Sequence, residues 1–438
     1  MVKHLLTLTA CLTVFSLAAQ EHTYHQICGY DHYVRALESA YPGFYDATQA
    51  PFERVRAGAE ARNLTVYTIP VVVHIVYQNQ EQNLPDSLIA GVLDVLNQDY
   101  RRLNLDAELV REAFTDVVGD PHIEFELAGV ERVESTASFQ LDLLRGSLPD
   151  NVKQTATGGS DAWDTEHYLN IWVCNIEGGA LLGYAYPPAN LANWPAGANA
   201  PEPALDGVVI HHEVFRRTGT YTARGFLGLD ETTIQLRGRT ITHEVGHYLG
   251  LRHIWGDGPL AIFGFPDCSA DDGVEDTPNQ GLNSQFQCDA TLNTCTDAGN
   301  DLPDMFENFM DYSQEDCLNS FTNGQIAIMR SVLENERSGL IQGLSSIDGP
   351  PQSLASWQVF PNPTRDRLQV RTTAKAGFAK QAFRLELLTS TGQVLQQWPQ
   401  QSHHTTIELS LADIPAGFYH LRFVDASGQQ HKAVLVLH

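Results

Sequence analysis

The most informative segment of the sequence is Thr242-His243-Glu244-Val245-Gly246-His247-Tyr248-Leu249-Gly250-Leu251-Arg252-His253, called the zinc stretch below. Because four residues span just over one helical turn, His243 and His247 lie on one face of a helix and can share a metal ion. Gly250 permits the left-handed turn that ends the helix and brings His253 back to the same site. Three imidazoles suit zinc and leave a fourth position open for water, so the stretch predicts a catalytic zinc site.

Glu244 follows the first histidine, about 100° round the helix, which directs its carboxylate beside the metal rather than at it. From there it can act as a general base toward the water that the metal activates. A helix whose histidines merely line a polar face is the alternative. Three histidines, an acid and a glycine at fixed spacing argue against that alternative.

The composition describes a folded and acidic protein. The chain has 438 residues, of which 43% are hydrophobic and 18% charged, which excludes a disordered chain. At roughly 150 residues per domain, this length predicts two to four domains. With 27 Lys and Arg against 53 Asp and Glu, the net charge of −26 makes nucleic acid and anionic lipid unsuitable partners. The same acidity suits calcium and cationic side chains.

Residues 1–19 have the pattern of a secretory signal peptide, with Lys3 before the apolar run from Leu5 to Leu17. No later apolar run is long enough to span a membrane. We therefore expect a secreted, extracellular or cell-surface protein. Of the seven cysteines, Cys11 lies in this peptide, and the others enter a compartment where disulfides persist.

The rest of the chain divides into four stretches. Residues 20–62 form a short mixed segment, and residues 63–342 alternate β-branched strands with helices, which predicts an α/β domain. Residues 343–356 contain prolines, glycines and serines, which indicates a linker. Residues 357–438 hold short alternating segments separated by turn residues, which predicts a small all-β sandwich.

The zinc stretch resembles the extended signature of the metzincin metalloproteases. Asn308–Tyr312 resembles the methionine-containing turn that lies beneath the zinc in that superfamily. Ile69–His74, Asp276–Pro278 and Cys317 narrow the resemblance to the pappalysins, especially the small bacterial forms, over roughly residues 65–336. The resemblance implies an α/β (α+β) catalytic domain with a mixed sheet, and a secreted zinc-dependent endopeptidase with protein or peptide substrates.

The resemblance also implies roles for single residues. Met310 would support the zinc site, Tyr312 would stabilise the oxyanion, and Glu244 would pass its proton to the leaving amine. Asp316 matches the position at which small bacterial pappalysins place an acid in the pocket after the scissile bond, where an acid would select Arg or Lys. Read alone, Asp316 is a solvated charge in a loop.

An acidic loop at residues 271–277 offers the oxygen ligands that calcium prefers. By resemblance, the ligands are the side chain of Asp272, the carbonyls of Asp271 and Val274, and both oxygens of Thr277. Read alone, this loop is a solvated acidic turn.

Four cysteines surround this loop, Cys268, Cys288, Cys295 and Cys317, and they allow three disulfide pairings. The resemblance implies Cys268–Cys295 and Cys288–Cys317, which would join a loop-rich lobe that has little core of its own. A zinc site of four cysteines is the alternative, and export argues against it.

Two cysteines remain. Cys174 lies in a predicted strand and is expected to be a buried thiol. Cys28 precedes Gly29 and resembles the Cys-Gly of pappalysin propeptides, in which the thiolate occupies the open zinc position. The arginine that flanks it in the family is absent here, and a free or mispaired thiol is the alternative. Removal of the propeptide is expected near Arg54–Arg62.

The C-terminal stretch resembles the type A sorting domain of the type IX secretion system, through Val359–Pro363, Leu387–Gly392, Ile414–Tyr419 and the final strand Lys432–Leu437. The implied partner is the machinery that exports such proteins across the outer membrane, followed by removal or surface attachment. An adhesive or carbohydrate-binding sandwich is the alternative, and the stretch lacks an aromatic platform for that role.

The sequence thus predicts a monomeric, secreted metalloendopeptidase that is made as a zymogen. A non-catalytic surface adhesin with a protease-like fold is the alternative from another class. Loss of Glu244 would be its natural sign, and Glu244 is present. A zinc hydrolase that acts on bonds other than peptides is a further alternative.

Overall fold

A computed structural model describes most of the chain. The described ranges are 28–58, 65–141, 147–178, 181–189, 191, 194–195, 202–224, 231–258, 260–261, 264–299, 301–342, 356–360, 364–373, 383–389, 394–400, 406–425 and 428–436. The predicted signal peptide with Cys11, and residues 343–355 of the predicted linker, lie outside these ranges.

Up to residue 342, the described residues contain three α-helices, one strand, a fourth α-helix, eight strands and three further α-helices, in that order, and strands alone follow. The helices are α1 (Tyr30–Ala40), α2 (Phe44–Ala47), α3 (Ala50–Arg56), α4 (Asp86–Tyr100), α5 (Thr240–Tyr248), α6 (Asn323–Glu334) and α7 (Gly339–Gln342). The strands before residue 342 are β1 (Tyr67–Tyr77), β2 (Ile123–Glu134), β3 (Phe139–Gln140), β4 (Leu169–Cys174), β5 (Ile176–Glu177), β6 (Gly183–Ala185), β7 (Val208–His211), β8 (Thr220–Arg224) and β9 (Glu231–Gln235).

A five-stranded sheet forms the centre of this part, in the order β2-β1-β4-β7-β6. All neighbours are parallel except β6, which pairs with β7 in the antiparallel direction. Strand β1 carries the β-branched run from Val71 to Val76, and those side chains are buried because helices and loops cover both faces of the sheet. The predicted mixed sheet is confirmed, and its single antiparallel strand lies at one edge.

Helices α4 and α5 pack against one face of this sheet. Ile89, Val92 and Leu96 recur at helical spacing on α4 and join the same core as the strands. Helix α5 ends where the backbone at Gly250 turns left-handed, with φ +92°. The zinc stretch is therefore a short helix followed by a sharp reversal, as its sequence predicts.

Residues 251–321 contain little regular secondary structure in the described part. Two disulfides cross this region, one joining Cys268 to Cys295 and the other joining Cys288 to Cys317. These are the pairings that the family resemblance implies.

The C-terminal part is a small β-sandwich with its own apolar core. Its strands are β10 (Ser356–Phe360), β11 (Arg367–Thr373), β12 (Phe383–Thr389), β13 (Val394–Gln400), β14 (Thr406–Ser410), β15 (Gly417–Asp425) and β16 (Gly428–Val436). They form one sheet in the order β10-β11-β14 and another in the order β13-β12-β15-β16. Buried Leu368, Leu385 and Leu421 lie between the sheets. The predicted sandwich is confirmed.

Candidate metal and active site

The three histidines of the zinc stretch meet at one point. The Nε2 atom of His247 lies 3.1 Å from that of His243 and 3.1 Å from that of His253, and the latter two are 3.2 Å apart. His243 is almost fully buried and the other two are fully buried. Helix α5 supplies the first two rings, and the reversal at Gly250 supplies the third.

The outer nitrogens of these rings determine where their protons lie. Nδ1 of His243 is 2.8 Å from the carbonyl oxygen of Phe309, Nδ1 of His247 is 2.9 Å from that of Leu251, and Nδ1 of His253 is 2.6 Å from the Asp257 carboxylate. Because these oxygens only accept hydrogen bonds, each Nδ1 carries the proton.

In the neutral rings, Nε2 is then the nitrogen that carries the lone pair, and three such nitrogens facing one point fit a cation. Tetrahedral zinc bonds of about 2.0–2.1 Å would separate neighbouring ligands by about 3.3 Å, close to the spacing seen here. The oxygens on the outer nitrogens orient the rings, as partners of zinc-ligating histidines commonly do.

Glu244 lies beside this cluster in a fully buried position. Burial raises the pKa of its carboxyl to about 8, while the Cys28 thiol and His253 oppose that rise. Space for the side chain exists because residue 183 on β6 is glycine: a Cβ there would lie 2.9 Å from Cγ of Glu244. Edge strand β6 thus passes directly over the candidate base.

The turn at residues 308–312 lies beneath the histidines. Met310 is fully buried, and a Cβ at position 246 would lie only 2.4 Å from its sulfur, so Gly246 is what lets the methionine approach the helix. The ring of Tyr312 is centred 5.5 Å from that of His243 and 5.0 Å from that of His253. The structure therefore brings both residues to the cluster.

Cys28 is the fourth group at the cluster. Its sulfur and the ligand nitrogens of the three histidines lie within 4.8 Å of one another, and Sγ is 3.3 Å from Oε2 of Glu244. The backbone around it pairs with the edge strand, since the amide of Gly29 donates to the carbonyl of Gly183 at 2.9 Å. Residues 28–29 therefore cover both the candidate metal position and the candidate base.

A pair of residues that follow Cys28 in the sequence, Tyr30 and Asp31, also contact the cluster. Sequence reasoning missed both. The ring of Tyr30 stacks on that of His247 with centroids 4.1 Å apart, and Oδ1 of Asp31 lies 2.7 Å from Nδ1 of His253. Arg35, one turn further along α1, donates to the carbonyls of Asp257 and Gly258. Tyr30 and Asp31 begin helix α1 directly after Cys28, and this closeness in sequence could have indicated that they reach the same site.

The rest of the N-terminal segment is anchored by arginines. Arg54 on α3 donates to both oxygens of Glu336 at 2.9 and 2.7 Å, and Arg56 donates to the carbonyl of Gly273 at 2.6 Å. From the other side, buried Arg252 donates to the carbonyl of Tyr45 at 2.9 Å. Arg54 also donates to the Ser331 hydroxyl on α6 at 2.8 Å, so the segment contacts both this helix and the acidic loop.

The acidic loop gathers three of its predicted ligands. The Thr277 hydroxyl lies 2.9 Å from Oδ1 of Asp272 and 2.9 Å from the carbonyl of Val274. Asp272 is buried, its Oδ2 has no hydrogen-bond partner among the described residues, and burial raises the pKa of its carboxyl well above the usual range. The remaining predicted ligand, Asp271, is exposed and its side chain accepts from the amide of Gly273.

A cavity opens beside Glu244, on the side of the turn that follows Met310. The residues that line it are Cys28, Leu182, Ile234, Arg239, Thr240, His243, Glu244, Phe286, Asp311, Tyr312, Ser313, Glu315 and Leu318. Asp316 is exposed and lies outside this lining, between Glu315, which belongs to it, and the disulfide-bonded Cys317. Cys174 is a buried free thiol in β4, as predicted.

Comparisons with known proteins agree with this geometry. Residues 216–334 match the family of pregnancy-associated plasma protein-A, and residues 358–437 match the secretion system C-terminal sorting domain. An extracellular metalloprotease of Arthroderma otae is 31% identical over 232 residues, which cover 46% of this chain and 73% of that protein.

Solved structures give the same result. A mutant of promirolysin from Tannerella forsythia is 33% identical, with a TM-score of 0.59, over 74% of this chain and all of that one. Mature mirolysin from the same organism, in complex with a cleaved peptide, is 38% identical, with a TM-score of 0.52, over 63% of this chain and 96% of that one. Among the helices of the described residues, none combines the length and the apolar composition that a membrane span requires.

The converging imidazoles, the methionine turn and these matches lead to one assignment. The chain belongs to the pappalysin family of metzincin proteases, and is a secreted or cell-surface zinc metalloendopeptidase with a C-terminal sorting domain for the secretion machinery.

Proposed function

We propose that this endopeptidase hydrolyses peptide bonds with Glu244 as general base. The observation that carries the proposal is the convergence of three Nε2 atoms, 3.1–3.2 Å from one another, beside one buried carboxyl group. Zinc held by His243, His247 and His253 would acidify a water molecule and polarise the substrate carbonyl. Glu244 accepts the proton of the attacking water and delivers it to the leaving amine, and Tyr312 steadies the oxyanion.

The N-terminal segment keeps the enzyme latent, on this proposal, through Cys28. Its sulfur lies among the ligand nitrogens and next to Glu244, where neither water nor substrate can then enter. A thiolate is a good fourth ligand for zinc. Tyr30 and Asp31 add contacts to two of the ligand rings, so the segment blocks the site as a unit.

Residues 20–62 are the proposed propeptide, residues 63–342 the protease domain and residues 357–438 the sorting domain, with residues 1–19 as signal peptide and 343–356 as linker. The arginine-bearing end of the segment, Arg54–Arg62, remains the proposed region of activation cleavage. The sorting match at residues 358–437 and the separate core of the sandwich support the last boundary.

A preference for Arg or Lys after the scissile bond is proposed from the acidity around the cavity. Asp311 and Glu315 line it, but hydrogen bonds from other groups of the chain already occupy both carboxylates, and Asp316 is the exposed acid that follows them. Asp316 is the residue proposed to meet the basic side chain, because its carboxylate is exposed.

Calcium is proposed for the acidic loop as a structural ion. Oδ2 of buried Asp272 lacks a partner within the described residues, and the Thr277 hydroxyl lies 2.9 Å both from Oδ1 of that carboxylate and from the carbonyl of Val274. The carbonyl of Asp271 completes the proposed set. A divalent ion would compensate the burial of this charge.

The test compares the full chain, activated by limited proteolysis within residues 54–62, with its Glu244→Ala variant. Peptides with varied residues around each bond are incubated with both, before and after chelation, and the products are read by mass spectrometry. We expect cleavage that is lost in the variant and on chelation, with Arg or Lys favoured after the cut. Glu112→Ala, which removes an exposed carboxylate far along the chain, serves as the control and should cleave normally.

Zinc bound at full occupancy with no cleavage of any peptide would overturn the endopeptidase mechanism and favour the adhesin alternative. An unprocessed chain that cleaves as fast as the activated one would overturn the latency proposal alone.

A further inference from the structure

The zinc helix α5 begins without a local side-chain cap. The residue at its N-cap position is Arg239, whose guanidinium can only donate hydrogen bonds. The first amide groups of a helix need acceptors, and Ser, Thr, Asp or Asn usually supplies one at this position. For α5 the acceptor comes from a distant part of the chain.

That acceptor is the carboxylate of Glu315. Its Oε2 accepts from the amides of Arg237, Gly238 and Arg239, the latter two at 2.9 and 3.1 Å. Its Oε1 accepts from the amide of Thr240 at 2.8 Å and from the hydroxyl of the same residue at 2.6 Å. Five donors therefore surround one carboxylate that is only 4% exposed.

The backbone that surrounds this carboxylate is shaped as an anion-binding nest. Gly238 has φ +84°, the left-handed conformation that glycine adopts at no steric cost, and this turns successive amides toward one point. The positive end of the α5 dipole lies at the same place and favours a negative charge there. The nest is occupied by the protein's own carboxylate.

Glu315 lies three residues after the turn at residues 308–312 that carries Met310. The same turn supports His243 from below, since Nδ1 of this histidine donates to the carbonyl of Phe309. The side chain of Gln314 accepts from the amide of Gln235 at 2.8 Å and donates to the carbonyl of Thr233 at 2.9 Å, both on β9. The turn is thus attached to the start of α5, to its first metal ligand and to the strand beside the cavity.

Glu315 and Arg239 both line the cavity, yet each is already paired. Arg239 donates to the carbonyl of Glu315 at 2.9 Å and, through both terminal nitrogens, to the carboxylate of Asp106 at 2.6 and 2.7 Å. Neither group therefore presents a free charge to a substrate. Their contribution to recognition lies in the shape of the cavity wall.

We propose that Glu315 is a positioning residue for the protease reaction. It holds the first turn of α5 against the methionine turn, and so sets both the place of His243 and the wall of the cavity that receives the residue after the scissile bond. This inference does not depend on which residue the cavity prefers.

The experiment uses the full chain, activated by limited proteolysis, with Glu315 replaced by Gln or Asp. Gln keeps the length but turns an amide group toward backbone donors, and Asp keeps the charge but cannot span the nest. Asp304→Asn is the matched control, because Asp304 is an equally buried carboxylate that accepts from the amide and hydroxyl of Thr294 outside the cavity. For each variant we would measure kcat and KM, the cleavage profile over a peptide library, zinc retention against a chelator, and the thermal midpoint.

We expect Glu315→Gln to lower kcat/KM by about tenfold or more, since it weakens several charge-assisted hydrogen bonds at once. The profile for the residue after the scissile bond should flatten, KM should rise for the preferred peptides, and zinc should be lost to the chelator faster. Compared with Glu315→Gln, Glu315→Asp should retain zinc better against the chelator, but its cleavage profile should remain flattened. Asp304→Asn should lower the thermal midpoint without changing the profile.

Thr240→Val provides a milder variant if Glu315→Gln does not fold, because it removes only the hydroxyl donor. Its profile should flatten in the same direction, by about two- to fivefold in the ratio of preferred to disfavoured residues. An unchanged profile and unchanged kcat and KM in these variants, with only the thermal midpoint lowered as in Asp304→Asn, would overturn the proposal.

Discussion

The cluster formed by His243, His247 and His253 lies between two regions that are stabilised by different interactions. On one side, the five-stranded sheet and helices α4 and α6 bury a continuous set of aliphatic side chains, among them Val73, Ile75 and Leu96. On the other side, residues 251–321 have few regular elements and rely on two disulfides and on buried carboxylates such as Asp304 and Asp311. Helix α5 belongs to the first region, and the methionine turn belongs to the second.

The difference shows which changes each region tolerates. A close-packed aliphatic core responds to lost volume, whereas a loop region responds to lost crosslinks and unpaired polar groups. His243 receives support from both, because its backbone lies in α5 and its Nδ1 donates to Phe309. Changes in either region should therefore reach the zinc site by separate routes.

The largest effect is expected from the sheet. Ile75→Ala removes a fully buried side chain from β1 and should lower the free energy of unfolding by about 2–5 kcal/mol, through lost apolar burial and the cavity left behind. Denaturant unfolding of the activated enzyme would measure it, with Ile75→Val as the milder control at about 1 kcal/mol. Equal losses for the two variants would show that β1 is not packed tightly.

The loop region should respond next most strongly, and more locally. Replacing Cys288 and Cys317 together by Ala opens a crosslink across 29 residues, which a chain-entropy argument values at about 3–4 kcal/mol. We expect hydrogen exchange to accelerate within residues 251–321 while β1 and β4 stay protected. Cys174→Ala, at a buried free thiol, controls for loss of a sulfur. Uniform acceleration across the sheet would contradict two separately stabilised regions.

Sequence reasoning identified most of the sheet region and the zinc helix, because both depend on local patterns. The β-branched run of β1 and the spacing of His243 and His247 follow from strand and helix periodicity. The sequence of residues 251–321 has no such periodic pattern, so its fold could not be predicted in the same way. The disulfide pairs were predicted only from the family resemblance. The hairpin of β8 and β9, beside the cavity, was missed because its short strands carry few apolar residues.

The missed site residues share one property: their partners are distant in the chain. Asp31 meets His253 and Glu315 meets the start of α5, and neither pairing has a signature at fixed spacing. Asp316 was selected by its position in the family pattern, while the cavity is lined by its neighbour Glu315. One sequence gives residue types and local geometry, but these contacts arise only when two separate turns pack together.

A buried histidine of the sheet should make the first region sensitive to acid. Burial lowers the pKa of His74 to about 4, against a weak opposing effect of Asn170 and Asp161, and its ring bonds Ser160 and Asn170. Between pH 6.5 and about 4 the unfolded chain therefore binds more protons than the folded one, so stability falls as pH falls through this window.

The His74 contribution should reach at most about 3 kcal/mol by pH 4. His74→Gln should flatten the pH dependence of the unfolding midpoint over this window, and its stability relative to the unsubstituted protein should improve toward pH 4. His167, which is exposed beside Asp164, is the control: His167→Gln should leave the curve unchanged. If the pH dependence of the unfolding midpoint were the same for His74→Gln and the unsubstituted protein, the folded structure would not be holding the His74 ring neutral.

The smallest effect concerns the N-terminal segment, which touches both regions through neighbouring arginines. Arg54 pairs with Glu336, which lies two residues beyond the end of helix α6, whereas Arg56 donates to Gly273 in the loop region. Because the Arg54 pair is bidentate and partly buried, Arg54→Ala should favour opening of the segment by about 1 kcal/mol, or about fivefold. Arg56→Ala removes a more exposed contact and should have less effect.

Opening can be followed in the unprocessed chain by the rate at which a thiol reagent modifies Cys28, with intact mass reporting labelling and any cleavage together. Arg217→Ala, which breaks an exposed ion pair with Asp94, should leave the rate unchanged. If Arg56→Ala opened the segment more than Arg54→Ala, the loop region would be its main anchor. The order expected here instead follows from burial: the segment is held more firmly where it meets the packed helices than where it meets the acidic loop.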